Sequence, residues 1–492
     1  MLSRKVDLII KKNKWKEFKM LFSSTFFIYI FLPMVLVIYY GICRKQSTRN
    51  KVLLISSLLF YAWGEPKFVL VMLLSIMVNY YFGLLVDRTR YTSKVKLYLV
   101  SMVVFNLSIM GIFKYLGFMM LSINDLLGMS FNVPQIALPI GISFFTFQSI
   151  SYVVDVYREH GKVLKNPLDV GLYIAFFPQL IAGPIVRYET IANEIHGRKE
   201  NEKDFAEGIG RFIIGLSKKV LLSNQFAIIA DKAFEMQGTK AMTVSFAWLG
   251  AVSYMLQIYF DFGGYSDMAI GLGKMFGFHF NENFNFPYMA KSVSDFWRRW
   301  HISLSTWFRD YVYIPLGGNR VGPLKHLRNI FIVWLLTGIW HGANWTFMVW
   351  GVYFGVLLII EKFTGLGAWM SKTKAIGHLY TLVVILLSWV LFRADSITEA
   401  IAYIGCMFGK TESSLTSGLT SLYFQENLYI FIAGILACMP FSKKAKRIYK
   451  RLTPLYKQLV KCIAIFLLGI LFLVSVSYLV KGTYNPFIYF NF

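Results

Sequence analysis

Apolar runs of about 20 residues, the length a helix needs to cross a bilayer, recur along this chain near 21–41, 67–86, 97–116, 136–156, 242–262, 343–361, 376–393 and 459–480. Between them, 51–63, 168–182, 327–340 and 427–440 are apolar but short or interrupted. Backbone groups find no partner in lipid, so such pieces predict hairpins, tilted helices or re-entrant segments sheltered by a surrounding bundle. The pattern predicts an all-α polytopic integral membrane protein. One segment follows a different rule. Over 291–320, Phe296, Trp300, Leu304, Trp307, Phe308 and Tyr311 recur at helical spacing, with Asp295, Arg298, Ser305 and Arg309 roughly opposite. That spacing predicts one amphipathic helix with His301 at the border of its faces. Pro315, Gly317 and Gly318 then break the chain, as a re-entrant element requires.

Composition agrees with the pattern: 56% of the residues are hydrophobic and only 16% charged, too apolar for a water-soluble domain. The net charge of +25 would suggest nucleic acid in a soluble protein. Here the cations gather in short loops between apolar runs, which points to anionic lipid headgroups and not to nucleic acid. Arg44, Lys45, Arg49 and Lys51 mark one such loop, Arg88, Arg90, Lys94 and Lys96 a second, and Lys443, Lys444, Lys446, Arg447, Lys450 and Arg451 the densest. Basic loops stay in the cytoplasm, so the last span runs outward and residues 483–492 form an aromatic tail on the outer side. Residues 1–19 carry seven cations ahead of the first span and conflict with this scheme. They read as a surface-lying extension, or the chain starts at Met20, with 20–482 as the transmembrane domain. Cys43, Cys406, Cys438 and Cys462 form no CxxC pair, so neither zinc nor a disulfide framework is signalled.

Chemistry is suggested first by WHGANW at 340–345, where His341 sits between Trp340 and Trp345 in otherwise bilayer-compatible sequence. An ionisable group at membrane depth costs a few kcal/mol and generally serves a cavity or pathway. Upstream, 260–288 carries Asp261 and Asp267 around a GlyGly break. Buried carboxylates need partners; an ion pair with Arg298 or Arg299 is one reading, orientation of a histidine the other. No HExxH, GxSxG or GxxxxGK[ST] pattern occurs, which disfavours a zinc protease, a serine hydrolase and an ATP-driven pump.

Taken in order, LFSSTFFIYIFLP (21–33), ALPIGISFFTFQSISYVVDVYR (137–158), FFPQLIAGPIVR (176–187), FDFGGYSDMAIGLGKMFGF (260–278), DFWRRWHISLSTWFRDYVYIPLGGNR and GIWHGANWTFMVWG resemble the membrane-bound O-acyltransferase family. The resemblance is strongest to its bacterial branch, whose members O-acetylate alginate or D-alanylate teichoic acid. It implies a bundle of roughly 11 transmembrane helices with re-entrant and amphipathic pieces. It also implies that His341 is the catalytic histidine and His301 the second motif position, where members carry histidine or asparagine. The basic segment before Met20 departs from the family pattern. Acyl transfer from a thioester to a sugar hydroxyl needs a base of near-neutral pKa, which histidine supplies. Donors to the developing oxyanion would be His301, the indoles of Trp340 and Trp345, or Asn344, with Asp261, Asp267, Arg298 and Arg299 in support.

These expectations name an acyl thioester, on coenzyme A or a carrier protein, as co-substrate, with no permanently bound cofactor and no metal. The partners expected are membrane lipids, a polysaccharide acceptor and an extracytoplasmic acyltransferase of the SGNH type, with the chain in a bacterial inner membrane. The tail NPFIYFNF at 485–492 resembles that of alginate-type members. A phenol can accept an acyl group, so Tyr489 is a candidate relay, with an aromatic interfacial anchor as the alternative. D-alanyl transfer and a non-enzymatic polysaccharide or lipid flippase are the rival functions.

Overall fold

The computed structural model describes residues 20–239, 241–410, 414–482 and 484–491; the extension expected at 1–19 lies outside the described residues. The described residues contain helices and no strand. Among the described residues six of these helices are long and apolar enough to span a membrane, and Leu428–Ala437 with Phe441–Arg451, bent by 60°, form a broken span or a re-entrant loop. The chain divides into two compact units, one comprising the residues up to Ile209 with Met268–Phe280, the other Gly210–Asp267 with Asn281–Phe492.

In the first unit, helices α1 (Val69–Thr89) and α2 (Lys94–Leu127) pack against α3 (Ile142–Tyr157). Lipid offers no polar partner, so amides on facing helices bond one another. Asn79 Nδ2 donates to Asn106 Oδ1 over 3.1 Å and Asn106 Nδ2 returns a bond over 2.8 Å. The span expected at 136–156 is shorter than its apolar run. Gly141 ahead of it is left-handed (φ 74°), and a Cβ there would lie 2.6 Å from the Leu180 carbonyl oxygen. The chain therefore turns at this close approach before α3 begins.

The second unit is built on α4 (Glu202–Glu235, in this unit from Gly210) and α5 (Val244–Met275, in this unit to Asp267). The sequence pattern did not predict α4 as a span, because Arg211, Lys218 and Lys219 interrupt its hydropathy. Their partners come from α5. A Cβ on Gly264 would lie 2.7 Å from the Gly215 carbonyl oxygen, so the two helices touch backbone to backbone, and α4's cations reach α5's carboxylates.

Downstream, α6 (Val293–Trp297) and α7 (Ile302–Phe308) replace the single amphipathic helix expected over 291–320. The reason lies in 283–285, which lends its polar groups to the connection. Asn285 N donates to Arg299 O (2.9 Å), and Ile302 N to Asn283 O (3.0 Å). Ser303 N and Oγ both donate to Asn283 Oδ1, over 3.0 and 2.9 Å. These bonds replace a helical ladder and hold His301 left-handed, at φ 45° and ψ 51°.

Helices α8 (Pro323–His341) and α9 (Trp345–Phe363) form a tight hairpin. Gly338 and Gly351 allow it: a Cβ on either would come within 2.4 Å of a carbonyl oxygen on the facing helix. Helix α10 (Lys374–Arg393) packs on α9. Helix α11 (Pro454–Lys481) turns Ile465, Phe466, Leu473 and Val480 outward, as a lipid-facing span does.

Candidate functional site

His341 ends α8, and a box of aromatic edges fixes its ring. The centroids of Trp340, Trp350 and Phe392 lie 5.1, 5.0 and 5.2 Å from it, at 78°, 82° and 81° to its plane. Near-perpendicular aromatic contacts of this kind are attractive beyond the area they bury. The Trp340 ring also lies 6.1 Å from that of His301. Trp340 therefore neighbours both histidines, and all three residues are buried. The structure brings the two sequence-predicted imidazoles to one aromatic cluster.

His301 owes its place to the break between α6 and α7. A left-handed histidine is uncommon and costs conformational energy, and such residues persist where surrounding bonds over-determine them. Its Nδ1 is buried and has no hydrogen-bond partner among the described residues. The same is true of the indole N–H groups of Trp297 and Trp350. Polar atoms of this kind inside an aromatic cluster are groups that a reacting carbonyl or hydroxyl can engage.

Four of the predicted supporting residues are placed differently from expectation. Asn344 caps α9, accepting from Thr346 N over 3.1 Å, while its Nδ2 donates to Asp395 O over 2.9 Å. Its oxygen and one of its two N–H donors are thus engaged at the hairpin tip. Trp345 is 54% exposed, on the outside of that tip. The ion pairs expected between the α5 carboxylates and Arg298 or Arg299 do not form. Arg299 Nε instead bonds Asp295 Oδ1, one helical turn earlier, over 2.9 Å. Arg298 is exposed and lines a cavity of about 570 Å³ with Trp334, Glu361 and Lys362.

The partners of Asp261 and Asp267 come from α4. Lys219 Nζ lies 2.6 Å from Asp261 Oδ1, with both side chains buried. Asp267 meets Arg211 at 2.8 Å and Lys218 at 2.6 Å, and Arg211 also reaches Glu282. Sequence reasoning missed these three cations and the box walls Trp350 and Phe392. A usable signal was present: three cations inside an apolar run oppose two carboxylates inside another, and neither set is stable at membrane depth alone.

Arg211, Lys218 and Asp267 line a cavity of about 480 Å³ with Lys443, Lys446, Phe284 and Ile302. Ile302 follows His301 in sequence, and the Phe284 ring is 6.2 Å from the His301 ring. A cation-rich cavity thus opens beside the second histidine. The tail is also placed: Ile488 N donates to Asp261 Oδ2 over 2.9 Å, and the Tyr489 ring packs on Phe262 at 5.1 Å. Among the described residues, Asp155, His160 and Glu189 have metal-ligand spacing. Arg187 lies 2.6 Å from Glu189 and His160 3.0 Å, so that carboxylate is already paired.

The profile of the membrane-bound O-acyltransferase family matches residues 153–400. The probable alginate O-acetylase AlgI of Pseudomonas putida is 38% identical, over 96% of this chain and the whole of that protein. The chain belongs to the membrane-bound O-acyltransferase family. It is a multi-pass membrane enzyme of the acyltransferase class. The peptidoglycan O-acetyltransferase of Helicobacter pylori is 36% identical, over 81% of this chain and 82% of its own length. The teichoic acid D-alanyltransferase of Bacillus subtilis is 30% identical over a shorter reach, 48% of this chain and 61% of its own. The matched range includes both the α6–α7 break with His301 and the α8–α9 hairpin tip with His341.

Proposed function

We propose that this acyltransferase O-acetylates an exopolysaccharide or cell-wall glycan, drawing the acyl group from a cytoplasmic thioester and delivering it outward. The observation that carries this reading is the pair of buried imidazoles, His341 and His301, each beside Trp340. His341 is the base. It takes the proton of an attacking hydroxyl, whose oxygen bonds the thioester carbonyl carbon. As the carbon–sulfur bond breaks, the departing thiolate recovers that proton from the imidazolium. His301, Trp340 and Trp350 surround the carbonyl whose oxygen becomes negative, where an N–H donor stabilises the transition state.

The cavity beside His301 supports a donor that carries phosphate. Lys443 and Lys446, which line it, belong to the densest basic cluster, which the positive-inside rule assigns to the cytoplasm. Coenzyme A or a carrier-borne phosphopantetheine has the complementary charge. Acetyl is favoured over D-alanyl because the O-acetylating relatives match over four-fifths or more of the chain. On the far side of the membrane, a separate extracytoplasmic acyltransferase of the SGNH type completes delivery.

Mass analysis of surface glycans from cells with and without the chain tests this reading. Ester-linked acetyl disappears with the chain if the reading holds; unchanged glycans refute it. The role of His301 is tested at its own backbone. Asparagine tolerates the left-handed region and keeps a donor, whereas a β-branched residue there is a steric outlier. His301→Asn is expected to retain activity within about tenfold, while His301→Val loses at least about 10²-fold with lower membrane abundance. Transfer by purified protein in vesicles, normalised to inserted protein, checks both.

A further inference from the structure

The buried Lys219–Asp261 pair makes contacts that ordinary ion pairing does not require. Its charges, 2.6 Å apart on α4 and α5, each bond a backbone group of the tail. Lys219 Nζ donates to the Pro486 carbonyl oxygen. Asp261 Oδ2 accepts from Ile488 N over 2.9 Å. The flanking contacts continue along the same stretch of tail. Asn224 Nδ2 donates to Asn485 Oδ1 over 3.1 Å, and Phe487 lies against Tyr265, with ring centroids 5.2 Å apart. Phe487 and Ile488 are buried.

An isolated charge in a protein interior is destabilising, and a pair is tolerated when its remaining hydrogen-bonding capacity is satisfied. Here part of that capacity is satisfied by backbone groups of the tail segment 485–488. Withdrawing the tail would break two backbone bonds and leave the ion pair intact. From this geometry we infer that Lys219 and Asp261 form a socket that docks residues 485–488 through their backbone and so positions Tyr489. The socket rests on the reading in which Tyr489 carries the acyl group. It fixes the phenol at Phe262 while leaving the tail able to detach. Lys219 and Asp261 are positioning residues in this scheme and touch no reacting atom.

Hydrogen–deuterium exchange of the C-terminal peptide 484–492, in the full chain in detergent, reads docking without reference to acyl transfer. In the double variant Lys219→Met/Asp261→Asn, which removes both charges together, exchange in this peptide is expected to rise about tenfold or more, the scale of a lost charge-assisted bond. Peptides elsewhere should be unchanged. Ile488→Pro gives a second route that leaves Lys219 and Asp261 in place. Proline fits the first position of the short 3₁₀ turn at Ile488–Asn491, stays apolar and lacks the N–H that donates to Asp261. Ile488→Val keeps that N–H and should keep protection. Wild-type protection of the tail in Ile488→Pro would overturn the socket. Glycan acetylation and thioester hydrolysis, measured on the same variants, separate the two ideas. Ile488→Pro should lower acetylation and spare hydrolysis, which a general loss of folding would not do. If the tail is released and acetylation persists, the socket stands and the relay fails.

Discussion

Replacing His341 by alanine is expected to lower acyl transfer by about 10² to 10⁴-fold, the usual contribution of a general base, while the protein still inserts at normal abundance. The basis for expecting intact insertion is local. His341 ends α8, so no helical turn depends on it, and the hairpin is held by the Gly338 and Gly351 contact and the Asn344 cap. Three aromatic edges would border the vacated space, and Trp350 and Phe392 also contact each other, at 5.2 Å. His341→Gln keeps a polar side chain without a base of suitable pKa and should be as inactive as alanine. Transfer from a labelled acetyl thioester in vesicles measures both variants against the wild type. Near-normal transfer in either would remove His341 from the chemistry.

The helical, membrane-spanning class was legible because hydropathy over a bilayer's width is a strong and local signal. WHGANW was legible for a related reason, since an imidazole in apolar sequence is conspicuous. What the sequence could not show was determined by contacts distant along the chain. The segment 291–320 has helical periodicity throughout, and nothing local indicates that Asn283 and Asn285 will take over its hydrogen bonds at 299–303. His301 was therefore expected on the border of a continuous helix, when it sits at a break. The α4 span was concealed by Arg211, Lys218 and Lys219, whose charges appear prohibitive until Asp261 and Asp267 are placed opposite. The same omission led to the expectation that Arg298 or Arg299 paired with those carboxylates. Asn344 and Trp345, adjacent to the catalytic candidate in sequence, were natural choices for the oxyanion. A helix cap and a hairpin tip use them instead, while Trp350, nine residues on, faces the imidazole.

Tyr489→Phe should abolish acetylation of the surface glycan while leaving thioester hydrolysis at His341 intact. The substitution removes one oxygen and keeps the ring that packs on Phe262 at 5.1 Å, so docking of the tail is preserved and only acceptor chemistry is lost. Two chemical arguments favour a phenol as carrier. A phenol is intrinsically more acidic than a sugar hydroxyl, while burial of the docked tail raises the pKa of Tyr489 above the ordinary phenol value. An aryl ester is also an activated acyl compound, so the group stays reactive for a second transfer to a glycan, where an alkyl ester would not. In this sequence Tyr489 gives its proton to His341 and takes the acyl group from sulfur. In this scheme the released thiolate would take that proton, and the tail would then present the ester outside. The Tyr489 ring packs on Phe262 and lies 6.1 Å from the Phe487 ring, at the core cluster of the second unit. Intact-mass measurement of the wild-type tail after incubation with acetyl thioester should show one added acetyl group, absent in Tyr489→Phe. If the Phe variant acetylates glycan normally, the acyl group passes directly from thioester to acceptor, and the tail's aromatic residues serve as an anchor.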